Sequence, residues 1–200
     1  MSCRRSWSRS SRVWVSSVPR GEAVRKAQQV IKETGYEMPV DVEAIAKARG
    51  LDVVRQDLED SVSGVLMIRD ERGTILVNSA HHPNRQRFSI AHELGHYLLH
   101  PEDGTVFVDR SPVFFRDRAS SSGIRQQEID ANAFAAELLM PEEDLNAQLN
   151  GRPIDAFDDV SVRRLAARFG VSAQALTIRL TRLDLVTMGS GDGLDELPDI

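Results

Sequence analysis

The pentapeptide His92-Glu93-Leu94-Gly95-His96 constrains this chain more than any other stretch. It sits inside an apolar-periodic run, Arg87 to Leu99, that Pro83-Asn84 opens and Pro101 stops, so the run is expected as one helix. At about 100° per residue, His92 and His96 then lie about 40° apart on one face, one turn from each other. Two imidazoles so placed can bind one Zn²⁺, while Glu93, rotated by about 100°, reaches the water beside the ion. Zinc lowers the pKa of such a water toward about 7. Glu93 can take its proton and hand it to a leaving amine.

A catalytic zinc takes three protein ligands and keeps its fourth position for water. His100 is poorly placed as the third, because on a continued helix it lies about 6 Å beyond His96 along the axis. The better source is the run Glu128 to Met140. There Glu128, Asn132, Ala135 and Leu139 share one stripe, and short residues there, with Gly95 on the first helix, let two helices approach closely. Glu128 is expected as the ligand, and Asp130, about 200° away, points elsewhere. The competing readings are two histidines that only pack, and a Glu128 that is a first-turn acid favoured by the helix dipole. The single cysteine, Cys3, excludes an intrachain disulfide framework and a cysteine-based zinc knuckle.

The rest of the chain reads as α+β. Val24, Ala27, Val30 and Ile31 mark a helix closed by Gly35, and Val40 to Arg49 a second one closed by Gly50. Leu51 to Arg55 is expected as a strand. Residues 64–69 and 74–78 are expected as a β-hairpin around Asp70-Glu71-Arg72-Gly73, and Val106-Phe107-Val108 as a short strand. Arg110 to Gly123 reads as a loop. Helices follow over Ile124 to Met140, from Pro141-Glu142-Glu143, and as a pair around Gly170 between Val160 and Leu185. Four regions result: a basic disordered tail over 1–19, a catalytic domain over 20–150, a helical segment over 151–188 and a disordered acidic tail over 189–200.

Two stretches resemble the ImmA/IrrE family of metallopeptidases. One is Arg85-Gln86-Arg87-Phe88-Ser89-Ile90-Ala91-His92-Glu93-Leu94-Gly95-His96-Tyr97-Leu98-Leu99-His100; the other runs from Glu128 through Ala131-Asn132 and Phe134-Ala135-Ala136 to Leu138-Leu139-Met140-Pro141. Met38-Pro39-Val40-Asp41 and Ile75-Leu76-Val77-Asn78 are similar too, and the likeness covers about residues 21 to 186. It implies a zincin-like fold with a small antiparallel or mixed sheet. It also implies zinc held by His92, His96 and Glu128, and Glu93 as general base. Family members typically cleave a partner helix-turn-helix transcriptional repressor, often encoded next door, and so switch on phage, mobile-element or DNA-damage genes. The nitrogen and oxygen donors suit zinc and also admit manganese or iron.

In a zincin the substrate commonly adds as a strand at a sheet edge. Ser61 to Leu66, with Gly64, Val65 and Leu66 at its centre, is the candidate edge, and a plain core hairpin strand is the alternative. His81, His82, Arg85 and Tyr97 are available as oxyanion donors, with no basis for choosing among them.

Residues 162–180 read as helix-turn-helix, with Gly170 at the turn and Ser172 as cap of the second helix. Residues 161–186 carry five arginines and one aspartate, yet the second helix offers Gln174 and Thr177 to a DNA groove and no base before Arg179. DNA binding is therefore less expected than closure of the peptidase domain or docking of a repressor substrate. A non-enzymatic DNA-binding regulator with a structural zinc, and a toxin-antitoxin-type partner, remain the alternatives to a peptidase.

The net charge of -5 averages unlike parts. Residues 1–20 hold five arginines and no acid, so residues 21–200 hold 20 basic and 30 acidic groups. The basic start has no apolar stretch of the length a signal peptide needs, and no run approaches the roughly 18 apolar residues of a membrane span. The chain is accordingly read as cytoplasmic.

Overall fold

The computed structural model describes residues 20–35, 37–69, 72–100, 106–110 and 122–187. Both expected tails, and most of the loop expected over 110–123, lie outside these residues.

The fold is mixed α+β. Helix α1 (Arg20–Thr34) buries Ala23, Ala27, Val30 and Ile31, while Val24, expected on that stripe, is half-buried. Helix α2 (Val42–Ala48) starts later than Val40 because the Asp41 side chain caps it, accepting from the Glu43 and Ala44 N–H groups. Strands β1 (Leu51–Gln56), β2 (Val62–Arg69), β3 (Arg72–Asn78) and β4 (Val106–Arg110) form one sheet in the order β1-β3-β2-β4. The expected hairpin is β2–β3, antiparallel, with Leu66 opposite Ile75. Strand β1 runs parallel to β3, and β4 antiparallel to β2, so the sheet is mixed.

This order corrects one expectation. Gly64, Val65 and Leu66 are not at an edge: Gly64 pairs with Val77 of β3 on one side and Asp109 of β4 on the other. The chain comes back after the helix that carries His92 and His96 to lay β4 along β2. That pairing spans some 40 residues and leaves no mark in the local pattern of either strand.

Helix α3 (Pro83–Leu99) lies across β2 and β3 and buries Ser89 through His96 without a break. A helix buried all round needs neighbours on every side. The sheet supplies one, and α4 (Ser122–Leu139) supplies the opposite one, itself backed by α1. The α3–α4 contact is tight because Gly95 has no side chain. A Cβ there would stand 3.1 Å from Ala131 Cα and 3.1 Å from Phe134 Cδ1. The small partner of Gly95 is thus Ala131, one step round the helix from the stripe the sequence suggested.

Beyond α4 come α5 (Glu142–Leu149), α6 (Asp159–Phe169) and α7 (Ala173–Arg182), with β5 (Ile154–Asp155) paired in parallel to β6 (Val186–Thr187). Gly170 makes the α6–α7 turn in the left-handed region, φ 63°, and Ser172 caps α7. This helix pair is fastened to the core by polar contacts. Arg87 of α3 donates to Gly170 O at 3.1 Å and to Val40 O at 2.8 Å, and Asn84 donates to Val171 O at 2.9 Å. Arg179 of α7, 8% exposed, pairs with the buried Glu137 of α4 and donates to Met140 O; Gln28 of α1 donates to the same Glu137.

Substituting Gly95 by Val drives two methyl groups into the Ala131 backbone and the Phe134 ring. Overpacking of this kind is expected to cost about 1–3 kcal/mol, read as a lowered midpoint in chemical denaturation with an unchanged m-value.

Candidate metal centre

The centre is built where α3 and α4 face each other. His82 and Pro83 start α3, the His82 ring accepting from the Asn84 N–H at 3.2 Å. Further along the helix and one turn apart, His92 and His96 project from one face with their rings edge to face, centroids 4.7 Å apart. Glu128 reaches them from the second turn of α4. Its carboxylate oxygens lie 3.3 Å from His92 Nε2 and 3.4 Å from His96 Nε2, and the two Nε2 atoms are 3.1 Å apart. Among the described residues these three side chains form a group whose ligand atoms all lie within 4.8 Å of one another.

The spacing suits a metal ion. Tetrahedral bonds of about 2.0–2.1 Å place neighbouring ligand atoms about 3.3 Å apart. The protonation states suit it as well. Burial holds His96 below the usual imidazole range despite the opposing pull of Glu128. Burial alone would raise the Glu128 carboxyl, yet its contacts with His92 and His96 prevail and hold it well below the ordinary carboxylate range. A neutral His96 imidazole and an ionised carboxylate are forms a divalent ion requires.

Glu93, fully buried, lies on the sheet side of this cluster. A Cβ on Gly64 would stand 2.9 Å from Glu93 Oε1 and 3.3 Å from its Cγ. Gly64 therefore serves the site as the bare stretch of β2 against which the Glu93 side chain lies, rather than as part of an edge. The β2–β4 register slips between Val62 and Gly64, beside this contact, and Arg85 donates to Ser63 Oγ there at 2.8 Å. Bulges of this sort recur next to active sites, where they re-aim the strand. Phe107 of β4 stacks on the His96 ring at 4.5 Å, and Phe88 lies 6.5 Å from that of His92. Neither aromatic stands out in the sequence; Phe107 shows there only as the middle of a three-residue apolar run.

The other candidates fall outside the cluster. His100 caps the end of α3, its ring centroid 6.2 Å from that of His96. Asp130 accepts from Gln126 at 2.9 Å. His81 Nε2 lies 3.3 Å from Asp60 O, and Tyr97 packs against the core.

Residues 46–181 match a peptidase family described as the IrrE N-terminal-like domain. The chain belongs to this family. Metallopeptidase ImmA of Bacillus subtilis (strain 168) is 27% identical over 158 residues, 79% of this chain and 83% of that protein. The radiation response metalloprotease IrrE of Deinococcus radiodurans is 34% identical over 118 residues, 56% of this chain and 31% of that protein. An uncharacterized immunity region protein 2 of Bacillus phage phi105 is 29% identical over 115 residues, 58% of this chain and 66% of that protein. The chain thus spans most of ImmA and about a third of IrrE. Among solved structures, a Mycobacterium tuberculosis transcriptional regulator superposes with a TM-score of 0.55 at 18% identity, over 80% of this chain and 46% of that one, which shows the shared fold. For this family member the His92, His96 and Glu128 cluster is a candidate site for a divalent metal.

Glu128→Ala and His92→Ala are each expected to lower metal content from about one ion per chain to a small fraction after dialysis against a weak chelator. Asp130→Asn is expected to keep it, with elemental analysis as the readout. Retention by Glu128→Ala would assign the third ligand elsewhere.

Proposed function

We propose that the protein is a zinc-dependent endopeptidase that cleaves a partner helix-turn-helix repressor and so releases stress or mobile-element genes. The observation that carries this reading is the convergence of His92, His96 and Glu128, with the buried Glu93 next to His92 in the chain. Three ligands and an open position are the catalytic form of a zinc site; a structural zinc asks for a fourth protein ligand, and none joins the cluster among the described residues. Bound zinc would supply Lewis acidity, polarising water and the scissile carbonyl. Glu93 holds the proton released as water adds to the carbonyl carbon, then delivers it to the amine nitrogen as the C–N bond breaks. Phe107, stacked on the His96 ring, keeps water from that face, which strengthens charge interactions there.

The substrate strand is better sought along β4 than β2. Among the described residues β4 is the outer strand beside the site, with Val106 and Val108 exposed and Phe107 against His96. An extended segment adding there would gain main-chain hydrogen bonds close to the cluster. A regulatory substrate accords with relatives named for an immunity region and for a radiation response. No helix among the described residues is long and apolar enough to cross a membrane. The competing DNA-reading role loses support at Arg179: the first basic side chain along α7 is buried against Glu137.

Co-expression with the repressor encoded beside the gene, under inducing conditions, is expected to yield repressor fragments. Glu93→Gln is expected to slow cleavage by about 10²–10⁴-fold while metal content stays at one per chain. Equal survival of the repressor with both forms, zinc being bound, would overturn the reading.

A further inference from the structure

A cleft of about 360 Å³, lined by none of His92, His96 and Glu128, opens between the end of α5, β5 and one face of α6. Its apolar wall includes Leu149, Ile154 and Leu165, and three arginines, Arg152, Arg164 and Arg168, line it with no acidic residue among them. All three arginines are exposed, and none is in an ion pair among the described residues. That contrasts with Arg49, Arg55, Arg163 and Arg179, each of which has a carboxylate partner. Asp158 feels the charge of Arg164, but its carboxylate is already committed to capping α6 through the Ser161 N–H. In a chain of net charge -5, three like charges around one concavity with an apolar wall mark a place for an acidic ligand with apolar side chains.

The chain's own sequence carries such a segment. The described residues end at Thr187 of β6, whose carbonyl accepts from Ala156 N–H at 2.9 Å, two residues beyond the wall residue Ile154. There follow Met188-Gly189-Ser190-Gly191 and then Asp192-Gly193-Leu194-Asp195-Glu196-Leu197-Pro198-Asp199-Ile200, with four acids, no base and apolar residues between them. At up to about 3.3–3.6 Å per residue, the four residues 188–191 do not limit the reach of the following segment to the cleft. Tethering gives such a segment an effective concentration of order millimolar, enough for weak exposed arginine–carboxylate contacts to form.

We propose that this cleft is an acidic-peptide site and that residues 192–199 of the same chain are its occupant. The arginines receive Asp195 and Glu196, while Leu194 and Leu197 meet the apolar wall. The reading does not depend on the peptidase assignment.

The test uses the full chain and guanidinium Nε–Cζ correlation spectra. Asp195→Asn with Glu196→Gln, changes that leave the described core untouched, is expected to shift the signals of Arg152, Arg164 and Arg168 and to leave those of Arg49 and Arg163 in place. The shift is expected to be independent of protein concentration and to be reproduced in wild type by raised salt. Unmoved arginine signals in the tail variant would overturn the proposal. Movement on adding inorganic phosphate, with none on tail substitution, would overturn it in favour of a free-anion site. A concentration-dependent shift would overturn it in favour of a second copy's segment.

Discussion

Everything in the site depends on how closely α3 and α4 approach. His92 and His96 are fixed by helix geometry alone, one turn apart on α3. Glu128 is 32 residues away in the sequence and reaches them only because Gly95 lets the α4 backbone in, with Ala131 Cα 3.1 Å from where a Cβ would stand. A larger residue at either position would separate the helices, and the carboxylate would fall short of both nitrogens. The missing side chain of Gly64 does the same on the opposite face of α3, where β2 passes against Glu93. Two glycines thus set the spacing of three layers, and the ligands and the acid lie in the gaps they define.

The helices that follow the core hold this arrangement in place. Arg179 and Glu137 tie α7 to α4 through a buried ion pair, the exposed Gln28 of α1 joins it at Glu137, and Arg87 and Asn84 hold the turn at Gly170 onto α3. A buried ion pair of this kind contributes little net stability over apolar packing, but losing one partner strands a charge. Its value here is positional. Both α3 and α4, the helices that supply the ligands, are gripped by the C-terminal segment, so α6 and α7 are bound up with the site's geometry.

The parts of this design that are local in sequence are also the parts that can be read there. The imidazole pair follows from a four-residue interval, the hairpin from the turn residues around 70–73, where β3 in fact begins at Arg72, and the α6–α7 pair from Gly170 and Ser172. Glu128 is legible because helical spacing and the small residues after it point one acid, and not Asp130, toward a partner helix. What escapes notice is set by non-local pairing. That β4 covers β2, and so moves Gly64 from an edge to the interior, depends on a contact between strands some 40 residues apart. Arg179 reads as an available cation until Glu137, 42 positions earlier, is seen to bury it. Phe107 acquires its role only when the sheet brings it onto His96.

The central claim is that one divalent ion is held by two imidazoles of α3 and a carboxylate of α4, with a position left for water. X-ray absorption fine structure on the zinc-loaded full chain addresses it directly. The account predicts a first shell of four light donors at about 2.0–2.1 Å, with multiple scattering from two imidazoles and no sulfur. A third imidazole, which would bring in His100, or a sulfur at about 2.3 Å, would contradict it.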